Sequence, residues 1–304
     1  MASSGHRWHS VSEFPILLVL ATLLLWFGCT HPTDRERSAL PSHISFSVDD
    51  ATFAELRESG FLLNDFAGTS VKTLTVDSGL SWTGVYLYGR NTYLEFYPGE
   101  GDIPAGSCSI CFEVARAGEL KRIKERLEER WGRSLGGIEL RTKVTENSEC
   151  PWFHYLDLYG QVGSGLLSPW LLEWDPDALN DHYRRPIKAL VDSQGKRPDD
   201  PAFNPERILG NFIEINTSLE RGELDGWTRF LDALGFQRTD EDALVRFSSA
   251  DLTFNFRLDS KEPMLELRMS LLREPQNAVE LSFGKRLRLK FRGDKTASLF
   301  FMQQ

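Results

Sequence analysis

One pattern constrains this chain more than any other: a short strand, an amphipathic helix stopped by glycine, then a run of alternating strands, recurring along the sequence. The first copy opens with His43-Ile44-Ser45-Phe46-Ser47-Val48, uses Asp49-Asp50 as a helix cap before Phe53 and Leu56, and places Gly60 at the helix end. Strands over 71–76, 83–88 and 92–97 complete it, the last two flanking a Gly89-Arg90-Asn91 turn. The second copy opens over 109–114, and its helix over 119–131 puts Leu120, Ile123, Leu127 and Trp131 on one stripe before Gly132. Its strands are expected near 140–144, 152–159 and 169–174. A third copy starts with Phe212-Ile213-Glu214-Ile215-Asn216, carries Trp227, Phe230, Leu231 and Leu234 on a helix ended by Gly235-Phe236, and continues with strands over 243–247 and 252–258. The fourth, over 264–301, has strands but hardly room for a helix.

Alternation assigns faces within these strands. Ile44, Phe46 and Val48 share one face, fit to pack under a helix, and His43, Ser45 and Ser47 share the other. On the closing strand Leu94 and Phe96 oppose Tyr93, Glu95 and Tyr97. His43 and Glu95 thus stand on same-facing positions of two such strands, the beginnings of a metal site or a ligand cup. Glu173, in Trp170-Leu171-Leu172-Glu173-Trp174, is likewise a lone carboxylate in an apolar strand. A carboxylate among apolar strand neighbours costs free energy unless it is paired. Glu95 and Glu173 are therefore either acid–base groups of a site or partners of Arg90 or another strand arginine. Tyr93, Tyr97, Trp170 and Trp174 are candidate aromatic walls for a small-molecule pocket, Trp152 sits close by, and each of them equally suits core filling. His154 reads as a satisfied core or edge residue. Glu214 could face a second cup, and Arg286, Arg288 and Lys290 alternate on what reads as a solvated face.

The net charge of −9 and the sign-alternating run Lys121 to Arg126 exclude a phosphate-tracking surface, so nucleic acid is not an expected partner. There is no glycine-rich phosphate loop opening a helix, no His-Glu-x-x-His and no Gly-x-Ser-x-Gly. Nucleotide chemistry and nucleophilic hydrolysis thus have no sequence support. At the N-terminus, Arg7 and two histidines precede an apolar run of roughly 14 residues that ends at Gly28-Cys29, the form of an export signal. A membrane span needs about 20 residues. Gly28-Cys29 resembles a bacterial lipobox, with Cys29 as the lipidation site; an ordinary cleaved signal and an uncleaved anchor are the other readings. Each makes the folded part exported, a periplasmic or cell-envelope protein. Cys108-Ser109-Ile110-Cys111 lies in a strand, where residues three apart face opposite ways, and no second zinc pair follows. Small buried strand residues are the expectation, with a disulfide from Cys150 to one of them as an alternative after export. The domains expected are a signal over 1–29, a tether over 30–41, one domain over 42–190, a polar linker over 191–204 and a second domain over 205–304.

The repeated unit, with glycine closing each helix and Tyr93-Leu94-Glu95 in a closing strand, resembles the vicinal oxygen chelate, or glyoxalase-like, superfamily. The likeness rests on His43 to Asp49, on Tyr93-Leu94-Glu95 and on Phe230-Leu231-Asp232-Ala233-Leu234-Gly235-Phe236. It implies an α+β fold of paired βαβββ units whose curved mixed sheets carry helices on the outside. It also implies one divalent metal, held by a His or Glu of each opening strand and a Glu of each closing strand. On this chain those places fall on His43, Glu95 and Glu173, with Ser109 where the fourth ligand belongs. Nitrogen and carboxylate donors suit Fe, Mn, Ni or Zn. Two functions follow: a binder of a small molecule in the strand-lined cup, or a metal-dependent lyase, isomerase or dioxygenase using His43, Glu95 and Glu173. Ser109 favours the binder.

Overall fold

The computed structural model describes residues 38–77, 79–99, 104–145, 148–163, 166–185, 190–191, 196–258, 264–276 and 280–302. The expected signal segment with Cys29, and the tether up to residue 37, lie outside the described residues. Those described belong to one compact unit, Arg37–Gln304.

The first repeat runs β1 (Ala39–Val48), α1 (Asp50–Glu58), a π-helical turn (Leu62–Phe66), β2 (Gly68–Val76), β3 (Leu80–Tyr88) and β4 (Tyr93–Pro98). Asp49 caps α1 by accepting from the Thr52 backbone N–H at 2.9 Å. The helix ends at Ser59 rather than Gly60. From Gly60 the chain winds on into the π-helical turn, which buries Leu62 and Phe66.

The second repeat runs β5 (Cys108–Val114), α2 (Glu119–Trp131), β6 (Glu139–Val144), β7 (Glu149–Asp157) and β8 (Leu167–Trp174). β4 lies parallel to β1, β8 parallel to β5, and β1 antiparallel to β5. The eight strands close into a barrel in the order β1-β4-β3-β2-β6-β7-β8-β5. Its thinnest seam is β2–β6, a single pair Val76 with Lys143, clasped by Asp77, which accepts from the Thr142 backbone N–H at 3.1 Å and from Arg141.

After α3 (Pro176–Tyr183) the third repeat follows: β9 (Leu209–Leu219), α4 (Arg221–Leu234), β10 (Gln237–Glu241), β11 (Leu244–Ser248) and β12 (Thr253–Leu258). Gly235, at φ 90°, closes α4 in a left-handed conformation that a Cβ would strain. The fourth repeat is β13 (Met264–Leu271), β14 (Glu280–Phe283), β15 (Leu287–Phe291) and β16 (Thr296–Met302), with no helix among the described residues between β13 and β14. A parallel return needs a crossover connection. β12 accordingly runs parallel to β9, across α4, whereas β16 runs antiparallel to β13. The eight strands of this half form an open sheet, β10-β11-β12-β9-β13-β16-β15-β14.

The architecture is α+β with repeated strand–helix–strand units and mixed sheets. One expectation changes: the apolar faces of β1 and β5 do not lie under helices alone. The open sheet packs on the barrel exterior, with Phe46 5.3 Å from Phe301 and Phe112 6.3 Å from Phe254, while α4 adds Phe230, 5.5 Å from Phe112. One continuous core joins barrel and sheet. Residues 196–204, inside the expected linker, are pinned to the Gly-Arg-Asn turn. There Asp200 N–H donates to Arg90 O at 2.7 Å and Asn91 Nδ2 donates to Pro198 O at 2.9 Å.

Cys108 and Cys111 are buried and free, and Cys150 is free and exposed, so the alternative of a disulfide from Cys150 is not met. The alternation predicted for β5 explains the first two: Cys108 shares the face of Ile110 and Phe112, while Cys111 pairs with His43 and Trp170 on the barrel's inner side.

Candidate functional site

His43 and Glu95 meet inside the barrel. Both are buried, at 4% and 7% exposure, and His43 Nε2 stands 3.9 Å from Glu95 Oε2. The Tyr93 ring stacks on the imidazole at 4.4 Å and 13°, and Trp170 meets its edge at 5.3 Å. Phe153 and Tyr155 of β7 extend this aromatic wall beyond Trp170. Glu95 accepts from Ser45 Oγ on Oε2 and from Trp82 Nε1 on Oε1, each at 3.0 Å, and Tyr86 hydrogen-bonds the same carboxyl. Lys72, donating to Tyr88 at 2.7 Å and lying over the Tyr86 ring, adds a positive charge nearby.

The His43–Glu95 distance alone would allow an ion pair, but burial opposes both charges. It lowers His43 to about 3, helped by Arg197, and raises the Glu95 carboxyl against the hydrogen bonds from Tyr86, Trp82 and Ser45. The imidazole is therefore neutral at neutral pH, and the contact is not an ion pair.

A β-bulge aims His43. Pro41 pairs with Phe112 and His43 with Cys111, so Ser42 is an extra residue in β1. Ser42 Oγ lies 3.0 Å from His43 Nδ1 and donates to Glu113 Oε1 at 2.6 Å. Arg197 Nη2 reaches Glu113 Oε2 at 2.6 Å and Nη1 reaches Pro41 O at 3.2 Å. Glu113 is buried and Arg197 largely so, their side chains 3% and 10% exposed, and Arg197 also hydrogen-bonds Tyr183 of α3. Sequence reading singled out none of Ser42, Glu113 and Arg197. Glu113 had a signal, since it shares strand parity with Ser109 and Cys111. Arg197 had none, because it stands in a segment with no periodicity.

Glu173 does not join His43 and Glu95. Its carboxylate accepts from the backbone N–H groups of Gly118 at 2.8 Å and Leu120 at 3.0 Å, at the start of α2. The reason is parity: Glu173 shares a face with Pro169 and Leu171, which points out of the barrel, whereas Trp170 points in. His154, paired with Glu173 across β7 and β8, lies on that outer side too. Tyr97 follows Glu95 on the inner face of β4 and is half-buried. Trp174 sits at the end of β8, stacked on His182 at 5.2 Å and 6.5 Å from Trp152. Glu214 is in the open sheet, accepting from Asn255 at 3.0 Å. Arg288 and Lys290 are exposed, as a solvated face requires, whereas Arg286 is half-buried and its Nη1 donates to Ala105 O at 3.1 Å.

Strand register identifies the true counterparts of the first repeat's pair. Ile44 and Ile110 face each other across β1 and β5. One residue on from each, Ser45 pairs with Glu95 and Cys111 pairs with Trp170. Trp170, not Glu173, therefore holds the place of Glu95, and Ser109 holds the place of His43. Neither is a metal donor of the kind the resemblance implies. Both Glu95 oxygens already hold hydrogen bonds, and among the described residues no three His, Cys, Asp or Glu side chains are placed to hold an ion. The donor set does not fit the superfamily's metal.

The chain belongs to a protein family described as a family of unknown function (DUF5829), whose model matches residues 42–300. A search of curated proteins gives no match. Among solved structures, a hypothetical protein from Staphylococcus aureus is similar at 12% identity and TM-score 0.43, over 73% of this chain and 86% of that one. A catechol 2,3-dioxygenase is similar at 15% identity and TM-score 0.37, over 72% of this chain and 66% of its own. BphC, a halotolerant catechol dioxygenase, is similar at 14% identity and TM-score 0.37, over 77% of this chain and 69% of that one.

Proposed function

We propose that this protein is a metal-independent binder of a small molecule, built on paired glyoxalase-like units of the vicinal oxygen chelate type. The ligand enters the barrel beside His43 and Glu95, between Tyr93 and Trp170. The observation that carries this reading is the pair of replaced places: Ser109 and Trp170 stand where the superfamily's second His or Glu and second Glu would be. Aromatic walls with a few convergent polar groups suit a small, largely apolar ligand. The leader over 1–29 sends the protein out of the cytoplasm, with Cys29 as its lipid attachment point; the apolar run and Gly28-Cys29 support that placement. Among the described residues no helix is long and apolar enough to cross a membrane.

Elemental analysis of the purified full chain, wild type and Glu95→Gln, combined with native mass spectrometry, tests the binder reading. The expected result is substoichiometric metal in both, and a noncovalent small-molecule adduct that Trp170→Ala loses. Stoichiometric metal in the wild type that disappears in Glu95→Gln would overturn it in favour of a metal-dependent enzyme.

A further inference from the structure

Hydrogen-bond direction at His43 decides which of its nitrogens is free. Glu113, ion-paired with Arg197, can only accept, so the single Ser42 hydroxyl proton goes to Glu113 Oε1 at 2.6 Å. Having given up that proton, Ser42 Oγ meets His43 Nδ1, 3.0 Å away, as an acceptor. A neutral imidazole carries one N–H, and here it must be on Nδ1. Nε2 is then a bare lone pair, and among the described residues it has no hydrogen-bond partner: Glu95 Oε2, at 3.9 Å, is beyond hydrogen-bond reach.

We propose that Ser42, Glu113 and Arg197 act as positioning residues that lock His43 in the Nδ1–H form, so that the barrel offers an unprotonated imidazole nitrogen to a neutral small molecule bearing an O–H or N–H group. This deepens the binder reading and rests on it for the ligand. The geometry suits one such group well. A ligand hydroxyl can sit about 2.8 Å from Nε2 and donate its proton there. Burial supports a neutral ligand, since it disfavours charge on His43 and Glu95 alike. The β-bulge at Ser42 supplies the local cause, because it puts Ser42 and His43 within bonding distance although they are sequence neighbours. Arg197 supplies the remote one: reaching in from the segment between α3 and β9, it holds Glu113 as an acceptor.

Long-range proton–nitrogen NMR of the full chain labelled with 15N-histidine tests the lock, with the His43 signal assigned by its loss in His43→Gln. The expected spectrum shows Nδ1 protonated and Nε2 bare. Ser42→Ala should move the population toward the Nε2–H form, and Ser42→Thr, which keeps the hydroxyl, should restore the wild-type pattern. Unchanged His154 and His182 signals report that each variant is folded. A protonated Nε2 in the wild type, or a Ser42→Ala spectrum identical to it, would overturn the proposal. Titration with a library of neutral aromatic fragments then tests the ligand class. Fragments that move the His43 nitrogen signal should carry an O–H or N–H. Donor-free fragments that move it as far, or no fragment moving it, would overturn that class. The lock is measured without ligand, so its failure is separable from failure of the binder reading, which shows as stoichiometric metal.

Discussion

Ile44 and Ile110 face each other across the antiparallel pair β1 and β5, and this one contact relates the barrel's two halves. Stepping one residue on and across to the closing strand reaches Glu95 on one side and Trp170 on the other. Stepping one residue back gives His43 and Ser109. The two repeats are thus alike in backbone and unlike in chemistry, and the site is one-sided.

That relationship can be tested by building the missing side. The double substitution Ser109→His with Trp170→Glu places a nitrogen and a carboxylate donor opposite His43 and Glu95. We expect it to bind one divalent transition ion per chain with a wild-type baseline near zero, as read by equilibrium dialysis and elemental analysis. Replacing a half-buried aromatic by a carboxylate should cost the metal-free protein about 1–3 kcal/mol. A folded double variant that gains no metal would show that Ile44 and Ile110 do not relate the halves in this way.

Glu173 should behave as a helix cap and nothing more. Its carboxylate accepts two of the N-terminal N–H groups around α2, groups that have no partner within a helix. Glu173→Ala is expected to lower stability by about 0.5–2 kcal/mol in denaturant titration. The His43 NMR signals should stay where they are. A shift of those signals as large as that caused by Ser42→Ala would place Glu173 in the site after all.

The contrast between Glu95 and Glu173 also shows what the sequence could and could not reveal. Strand alternation placed Glu95 opposite Leu94 and Phe96, and the structure brings it to His43 as that parity requires. The same alternation applied to β8 groups Glu173 with Leu171, on the outer side, so this misassignment came from matching a motif instead of counting faces. The helices ended by Gly132 and Gly235 were legible because each carries an apolar stripe and a stop. β10 was not: Gln237–Glu241 is exposed throughout, with no alternation to read. Nor was the route by which Arg197 reaches Glu113, 84 residues apart in sequence, since no local pattern encodes a contact made by an irregular segment. The packing of the open sheet against β1 and β5 was equally hidden, because an apolar strand face looks the same beneath a helix or a second sheet.

Acid should destabilise the fold through His43. The unfolded imidazole takes its proton near 6.5, whereas burial holds the folded one to about 3. Between those values the unfolded chain binds the extra proton, so stability rises with pH across the window and falls as pH drops through it. At about 1.4 kcal/mol per unit, the contribution across the window reaches up to about 4–5 kcal/mol. Glu95, raised by burial, acts in the opposite sense: it favours folding at low pH and loses that advantage as pH rises past the ordinary carboxylate value. Urea midpoints measured from pH 4 to 7 should therefore follow a more positive slope in the wild type than in His43→Gln, where the opposing Glu95 contribution remains alone. Equal slopes in the two proteins would mean that His43 is not buried as a neutral ring.

The Gly89-Arg90-Asn91 turn should prove to be a joint. Arg90 N–H donates to Gly210 O at 2.7 Å and Asn91 N–H to Asn211 Oδ1 at 2.8 Å, while Phe212 N–H donates to Thr92 Oγ1 at 3.1 Å. The turn thereby fastens the hairpin of β3 and β4 to the start of β9. A Cβ on Gly89 would lie 2.1 Å from Gly210 O and 2.8 Å from Thr92 O, both backbone atoms that cannot swing aside. Gly89→Ala must therefore push β9 away or bend the hairpin, at an expected cost of about 1–3 kcal/mol. Hydrogen exchange gives the sharper reading, because amides of 210–212 should lose protection more than those of β6 and β7, far from the joint. Uniform loss of protection across the barrel and the open sheet would mean that the turn contributes to global stability alone, and not to the fastening of β9.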